Sequence, residues 1–367
     1  MKEVAIKDIC HKDSSALKQK ELLSEGKYPV FGASGIAGYL NTFYQEKEYI
    51  GIVKDGSGIG RVAFYPAESS LIGTMQYILP KEDYDIRYIG YCLQSLDLSK
   101  YKQGAAIPHI YFRDYGERFV KVTDNKEEQR SIVARLDAAF SHIDALKANA
   151  EKQLNEARKL FQAELTECMK PKEGWEEKKL GEICEIVRGK RFVRADIVKD
   201  GVPCIHYGDI YTYYGLSVTK TKGCIEPTLA KKMRFAKKND VIVVQAGENN
   251  WDIGVGVAYL GEKPAAVHDA CFILRHKQVP MYISYYLRSY EYHRYLIDYV
   301  HEGKICSFLK PALENAPFPL PPLSEQHSIV SHLDSLSSYI RKLEELQQKT
   351  IAECDALKQA MLKEVFE

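Results

Sequence analysis

Apolar side chains return at alternating steps of four and three in two long stretches of the chain. Leu136, Phe140, Ile143, Ala150, Leu154, Ala157 and Phe161 mark the first, and Ile329, Leu333, Leu336, Ile340, Leu343, Cys354, Leu357 and Met361 mark the second. That is the stripe of a helix with one apolar seam. Neither Pro nor Gly interrupts residues 127–169 or 324–367. Two helices of forty-odd residues are predicted, each about 60 Å long at about 1.5 Å per residue. A seam this narrow calls for a partner, and the other helix is the nearest one. The rest of the chain follows a different pattern: short apolar or aromatic runs separated by glycine-containing turns, which predict strands. They are Tyr28–Phe31, Glu48–Val53, Arg61–Tyr65 and Met75–Leu79, then Val202–His206, Asp240–Gln245, Gly254–Leu260 and Ala270–Leu274. One helix is expected over Ile86–Leu96 and one over Met281–Leu296.

The pattern repeats. Glu128-Gln-Arg-Ser-Ile-Val-Ala-Arg-Leu-Asp137 recurs as Glu325-Gln-His-Ser-Ile-Val-Ser-His-Leu-Asp334, with seven of ten positions identical at an offset of 197. Ile6-Lys-Asp-Ile-Cys10 is echoed by Leu180-Gly-Glu-Ile-Cys184 at an offset of 174. The expected architecture is α+β: two sheet-containing domains alternate with two long helices in an internal repeat. Residues 1–124 form the first domain, 125–170 the central helix, 171–322 the second domain and 323–367 the C-terminal helix.

Composition narrows the class. The 367 residues carry 51 Lys plus Arg against 50 Asp plus Glu, a balance that by itself does not point to nucleic acid. By position the balance is a cancellation. Residues 1–170 are neutral, residues 171–310 carry 22 basic against 17 acidic side chains, and residues 311–367 carry 5 against 9. No apolar run of membrane-spanning length occurs and the start lacks a signal-peptide pattern, so a cytoplasmic protein is expected. Nine scattered cysteines with no C-x-x-C pair fit reduced thiols in packed positions.

Catalytic and cofactor signatures are absent from the sequence. Gly32-Ala-Ser-Gly35-Ile-Ala-Gly38 and Gly56-Ser-Gly58-Ile-Gly60 lack the Lys-Ser/Thr of a phosphate loop and open no helix, so they read as tight turns. There is no D/N-P-P-Y/F tetrapeptide of an amino-methyltransferase and no helicase nucleotide motif. His109, His206, His268 and His293 have no acidic or cysteine partner at ligand or triad spacing, and each reads as a packing or surface residue. No cofactor and no metal are expected.

The order of parts resembles the specificity subunit of type I restriction-modification enzymes. Trp175-Glu-Glu-Lys-Lys-Leu-Gly-Glu-Ile-Cys-Glu-Ile-Val-Arg-Gly-Lys190 is similar to the opening of a target-recognition domain, and Asn315-Ala-Pro-Phe-Pro-Leu-Pro-Pro-Leu-Ser-Glu-Gln326 to its exit. Tyr28-Pro-Val-Phe-Gly-Ala-Ser-Gly35 and Gly56-Ser-Gly-Ile-Gly60 are similar to the family as well. The first domain departs from the pattern, because its exit, Phe119-Val-Lys-Val-Thr-Asp-Asn-Lys-Glu-Glu-Gln129, lacks the proline run. The resemblance implies a non-catalytic DNA-recognition subunit whose helices pair as an antiparallel coiled coil with pseudo-twofold symmetry. Each domain would read half of a bipartite site on double-stranded DNA. The helices would set the gap and dock methyltransferase subunits, with a restriction motor joining where one is present; the methyl donor and any nucleotide would belong to those partners. The competing reading is a coiled-coil interaction scaffold with no DNA function.

Under that resemblance, Arg188, Lys190, Arg191 and Arg194, with Lys220 and Lys222, are candidates for phosphate contacts. The run Lys231, Lys232, Arg234, Lys237 and Lys238 reads as a solvated face. Gln245, Asn249, Asn250 and Trp251, in one loop after an apolar strand, are candidates for base reading, against the alternative of a plain polar turn. Lys304 and Ser307, with His109 at the corresponding place in the first domain, are expected to approach DNA, as are Lys54, Arg61, Tyr111 and Arg113.

Overall fold

A computed structural model describes residues 1–104, 108–303 and 305–367. Its tertiary contacts form two units. One comprises Met1–Lys152 with Leu346–Glu367, and the other Gln153–Glu345. Each unit therefore combines one sheet domain with a stretch of both long helices, which run over Lys126–Met169 and Leu323–Phe366.

In the first unit an antiparallel sheet orders its strands as Cys10–Ser14, Met75–Pro80, Tyr49–Val53 and Val62–Tyr65. Tyr49–Val53 is buried along its whole length. This fits its uninterrupted apolar sequence. A smaller sheet places Tyr28–Gly32 between Gly35–Leu40 and Ser70–Leu71. The second unit has a five-stranded sheet in the order Glu185–Arg188, Cys271–Arg275, Val241–Val244, Gly256–Tyr259 and Ser217–Val218, and a second sheet around Val202–Ile205. The predicted strand runs match these elements to within one or two residues.

Both domains close in the same way. Lys2–Ala5 pairs antiparallel with Phe119–Val122, and Glu176–Lys179 pairs antiparallel with Pro317–Leu320. The first strand of each domain thus meets the strand that leads into the long helix. The exit without prolines makes the same closure as the one with them.

The repeated decapeptide is the socket that locks each sheet domain to its helix. Gln129 and Gln326 are fully buried. Gln129 accepts from the Asp85 N–H at 2.8 Å and donates to the Thr123 carbonyl at 2.8 Å; Gln326 accepts from the Val279 N–H at 3.0 Å and donates to the Pro321 carbonyl at 3.0 Å. Each amide therefore satisfies the start of the domain's own helix and the chain entering the long one. Ile132, Val133 and Leu136 in the first copy, and Ile329, Val330 and Leu333 in the second, fill the cores beside them. Asp137 then receives the Tyr91 hydroxyl, and Asp334 the Tyr285 hydroxyl at 2.6 Å. Gln326→Ala leaves a buried N–H and a buried carbonyl without partners, which costs about 3 kcal/mol at 1–3 kcal/mol each. Its unfolding midpoint in urea is expected to fall clearly, and Gln129→Ala should behave alike. An unchanged midpoint in either variant would remove the socket's role.

Within each unit the helices run antiparallel. In the first, Lys147 pairs with Asp355 at 2.9 Å and Lys358 pairs with Asp144. In the second, Arg158 pairs with Glu344 at 2.9 Å and His332 meets Glu164 at 2.9 Å. The apolar seam differs from its expected form toward the C-terminus, where Leu357 is half exposed while Cys354, Leu362 and Phe366 are buried. Phe366 packs on Tyr88 of the first domain, and Met361 and Val365 pack against the same core.

One predicted helix is two. Met281–Leu296 breaks into Pro280–Tyr286 and Tyr290–Ile297. Arg288 leaves the helical path to donate to the Gly215 carbonyl at 2.7 Å, and the Ser289 hydroxyl caps the second piece by accepting from the Tyr292 N–H.

Candidate nucleic-acid interface

In the second unit the basic segment follows the edge strand Glu185–Arg188. Gly189 crosses so close to the next turn that a Cβ there would lie 2.1 Å from the His268 carbonyl oxygen. The Lys190 N–H bonds to the Val267 carbonyl at 2.9 Å. This close backbone approach turns Lys190, Arg191 and Arg194 outward, and all three are exposed. Arg188 has a different place. Its Nε donates to the Asp269 carbonyl at 2.8 Å, and Arg234 donates to the Arg188 carbonyl at 2.7 Å. Arg234, read from the sequence as part of a solvated run, thus sits against the segment. Lys222 pairs with Asp209 at 3.3 Å and lies over the Tyr213 ring, while Lys220 is exposed.

Beneath the basic segment lies an aromatic and imidazole cluster that the sequence did not reveal. His206 and His268 are 4.6 Å apart between ring centres, with Phe192 and Tyr207 against them. Burial, the adjacent His268 and the Arg194 charge push His206 down to about 4, and burial also lowers His268. The packing role expected for these two histidines is therefore what the fold uses. His276, lowered to about 4 by burial, adds a third neutral imidazole. An unfolded chain takes up these protons near pH 6.5, so between pH 6.5 and about 4 the unfolded state binds more protons than the folded one. Stability is intact above this window and falls with acidification through it, by at most about 3 kcal/mol for His206 before residual solvent screening. Unfolding midpoints measured from pH 7.5 to 4.5 should decline, and a flat profile would refute the assignment.

The loop after the central strand Val241–Val244 meets the loop before the exit. Ala246–Gly247 pairs with Cys306–Ser307, which places Ser307 opposite Ala246. Gln245 is buried, and its amide nitrogen donates to the Phe308 carbonyl at 2.8 Å. It holds the loop instead of projecting from it. The Asn249 side-chain Oδ1 accepts from the Trp251 and Asp252 N–H groups, and the Asn250 side-chain amide donates to Glu302 at 2.5 Å. Trp251 is the side chain that remains open, 74% exposed and stacked on His293 with centres 4.8 Å apart. Glu248 and Asp252 add two carboxyl groups to the same loop, and burial and Glu248 raise Asp252. The Ala270 carbonyl accepts from the Gln245 and Ala246 N–H groups, which ties this loop to Asp269 and hence to Arg188. Lys304 lies outside the described residues.

The first unit repeats the arrangement. Its central strand Tyr49–Val53 leads into a loop with positive φ at Gly56, Gly58 and Gly60, a path that favours glycine at all three places. The turn reading of these glycines is what the fold shows. The Ile110 N–H bonds to the Lys54 carbonyl at 3.0 Å, as the Phe308 N–H bonds to the Gln245 carbonyl at 3.3 Å. Lys54 and Gln245 thus hold equivalent stations. His109 pairs with Asp55, packs on Tyr111, and Arg113 lies over the Tyr111 ring at 4.7 Å. Arg61 donates to the Ala33 carbonyl at 2.9 Å. Lys54, Arg61, His109, Tyr111 and Arg113 accordingly gather around one loop pair. His109 was read as partnerless because Asp55 lies 54 positions away in sequence.

The profile of the type I restriction modification DNA specificity domain matches residues 1–156 and 172–353. The chain belongs to this family. The type I restriction enzyme MjaVIII specificity subunit of Methanocaldococcus jannaschii is 23% identical over 366 residues, covering 91% of this chain and 84% of the relative. The EcoBI specificity subunit of Escherichia coli is 24% identical over 271 residues, which are 65% of this chain and 56% of that one. A chain from a structure of type I R-M complex assembly and conformational transition aligns with a TM-score of 0.74 at 17% identity, covering 98% of this chain and 96% of that one. The HsdS subunit from Thermoanaerobacter tengcongensis aligns with a TM-score of 0.53 at 17% identity, over 98% and 95% of the two chains. At this identity the structural likeness shows a shared fold of sheet domains alternating with long helices.

As a type I specificity subunit the protein has DNA sequence recognition as its role. No helix among its described residues is long and apolar enough to cross a membrane. Beyond the side chains chosen from the sequence, Tyr207 and Tyr211 stand beside the basic segment of this specificity subunit, and the signal for them was the density of Tyr over Tyr207–Tyr214; Arg234, read from the sequence as a solvated residue, joins them.

Proposed function

We propose that this subunit reads a bipartite sequence in double-stranded DNA, with residues 1–124 responsible for one half-site and residues 171–322 for the other. The observation that carries this reading is the same loop pair in both units, tied by the same backbone hydrogen bond at Lys54 and Gln245; basic and aromatic side chains flank it in the first unit, and in the second it carries Trp251 and is tied through Ala270 and Asp269 to Arg188 of the basic segment. Lys190, Arg191, Arg194 and Lys220 take phosphates, Trp251 packs against the DNA, and Arg188, Gln245, Asn249 and Asn250 hold the loops that carry them. In the first domain Lys54, Arg61 and Arg113 serve the phosphates, with His109 and Tyr111 beneath. The subunit is non-catalytic and leaves the chemistry to its partners.

The helices set the gap. Half-sites on one face of B-DNA lie about 34 Å apart, and a 44-residue helix at 1.5 Å per residue is about 66 Å long. They also dock the methyltransferase subunits, and restriction motor subunits join the resulting complex. Leu160 and Leu357, equivalent at the repeat offset of 197, are both exposed, at 60% and 51%. Large apolar side chains left in water at repeated positions fit two equivalent partner contacts.

The test is to express the chain with its cognate methyltransferase subunit and map methylated bases across the host genome. The expected result is two short sequences separated by a constant gap. A continuous motif overturns the bipartite reading. DNA binding by the purified complex that shows neither sequence preference nor salt dependence overturns recognition itself and leaves the scaffold.

A further inference from the structure

Three side chains of different ligand chemistry converge on the helix pair of the second unit. Glu164 and Cys168 stand one turn apart on the first long helix, and His332 faces them from the second. His332 Nε2 is 2.9 Å from Glu164 Oε1, Cys168 Sγ is 3.9 Å from that same oxygen, and the three potential donor atoms all lie within 4.8 Å of one another. A tetrahedral zinc ion, with bonds of about 2.0–2.1 Å to nitrogen and oxygen and about 2.3 Å to sulfur, holds its ligand atoms roughly 3.3–3.7 Å apart. The trio reaches that spacing through side-chain adjustments of about 1 Å. A thiolate, an imidazole and a carboxylate together suit zinc and not magnesium or calcium, which take oxygen ligands.

The repeat supplies a second observation. At the offset of 197, His332 corresponds to Arg135, Glu164 to Met361 and Cys168 to Val365. Met361 and Val365 pack against the core of the first unit. The helix pair therefore closes with two apolar side chains and an arginine at these positions, and has no structural need of a carboxylate, a thiol and an imidazole. One half of the repeat carries ligand chemistry where the other carries packing. The site also has room for a fourth ligand, because the Glu164 and His332 side chains are 38% and 55% exposed while Cys168 is buried.

We infer that Glu164, Cys168 and His332 form a zinc site that pins the last turns of the first long helix to the early turns of the second. Water supplies the fourth ligand, and the Cys168 thiol proton passes to solvent as the ion binds. The pin lies in the part of the second unit where the chain enters and leaves its sheet domain, and where Trp175 Nε1 already donates to Glu325 at 2.9 Å. It adds a metal-dependent constraint to the seat of one recognition domain and not the other.

The full-length chain, stripped of metal under reducing conditions, is titrated with Co²⁺ and then with Zn²⁺. One Co²⁺ per chain is expected, with a near-ultraviolet thiolate charge-transfer band and visible absorption of tetrahedral intensity, both removed by one equivalent of Zn²⁺. Cys168→Ser should abolish the charge-transfer band. His332→Arg and Glu164→Met introduce the residue types that the other half of the repeat tolerates, so both variants keep the helix pair, and each should weaken zinc binding by about 100-fold or more. Zinc should raise the unfolding temperature of the unsubstituted chain and leave that of His332→Arg unchanged. A missing charge-transfer band, a band that survives Cys168→Ser, or zinc binding to His332→Arg as tight as to the unsubstituted chain overturns the site.

Discussion

Replacing Lys190, Arg191 and Arg194 together by Ala is expected to lower specific DNA affinity on the order of 1000-fold. The figure follows from about 1.5 kcal/mol for each charge-assisted hydrogen bond, summed over three. Among the described residues no carboxylate lies within ion-pair distance of these three side chains, so their removal leaves no buried partner exposed and the thermal midpoint should stay where it is. The slope of log affinity against log salt should become shallower by about 2.7, at about 0.9 per phosphate contact. Arg188→Ala behaves differently. It cuts the strap to Asp269, and with it the seat of the Gln245 loop, so it should alter sequence preference at the second half-site as well as affinity. Binding isotherms at three salt concentrations on cognate and scrambled duplexes separate the two effects. If the triple variant binds with unaltered affinity and slope, the basic segment is not a DNA contact.

Leu160→Glu and Leu357→Glu are expected to remove one methyltransferase subunit each from the assembled complex. A leucine buried at an interface contributes about 1.5–3 kcal/mol, and a carboxylate left unpaired in its place costs a further 3–5 kcal/mol. Together these terms correspond to an affinity loss of at least 1000-fold at the altered contact. Both leucines are exposed in the free chain, so neither variant should lose fold stability. Mass measurement of the complex reads the outcome directly: one partner subunit fewer for each single variant and none for the double. Full occupancy in the double variant would place the docking surface elsewhere.

The two helices and the strand runs could be read from the sequence because each is a local, additive pattern. The four-three stripe and the seven-in-ten repeat need no knowledge of what the chain touches. The break at Arg288 was not readable, because it depends on the Gly215 carbonyl 73 positions away. The exposure of Leu357 was not readable either, since which residues of the last turns are covered depends on the first domain's core, where Phe366 meets Tyr88. The repeated Gln and Asp of the decapeptide were visible as identities, but only the fold shows that Gln129 and Gln326 bond to a helix start and that Asp137 and Asp334 hold tyrosines.

The interface divides along the same line. Sequence alone marked the candidate loops, because they follow buried strands and collect basic, amide and aromatic residues. It did not determine which of those side chains face outward. Gln245, Asn249 and Asn250 have the donors and acceptors of base readers, yet each commits one end of its amide to the folded loops: the Gln245 and Asn250 nitrogens donate within them, and the Asn249 side-chain oxygen accepts. Lys190, Arg191, Arg194 and Trp251 are left open. Pattern along the chain specifies which segments form strands, helices and loops, because periodicity is a property of neighbours. Which polar group is free depends on the order of strands in the sheet and on loops brought together from distant positions, and only the tertiary structure decides that.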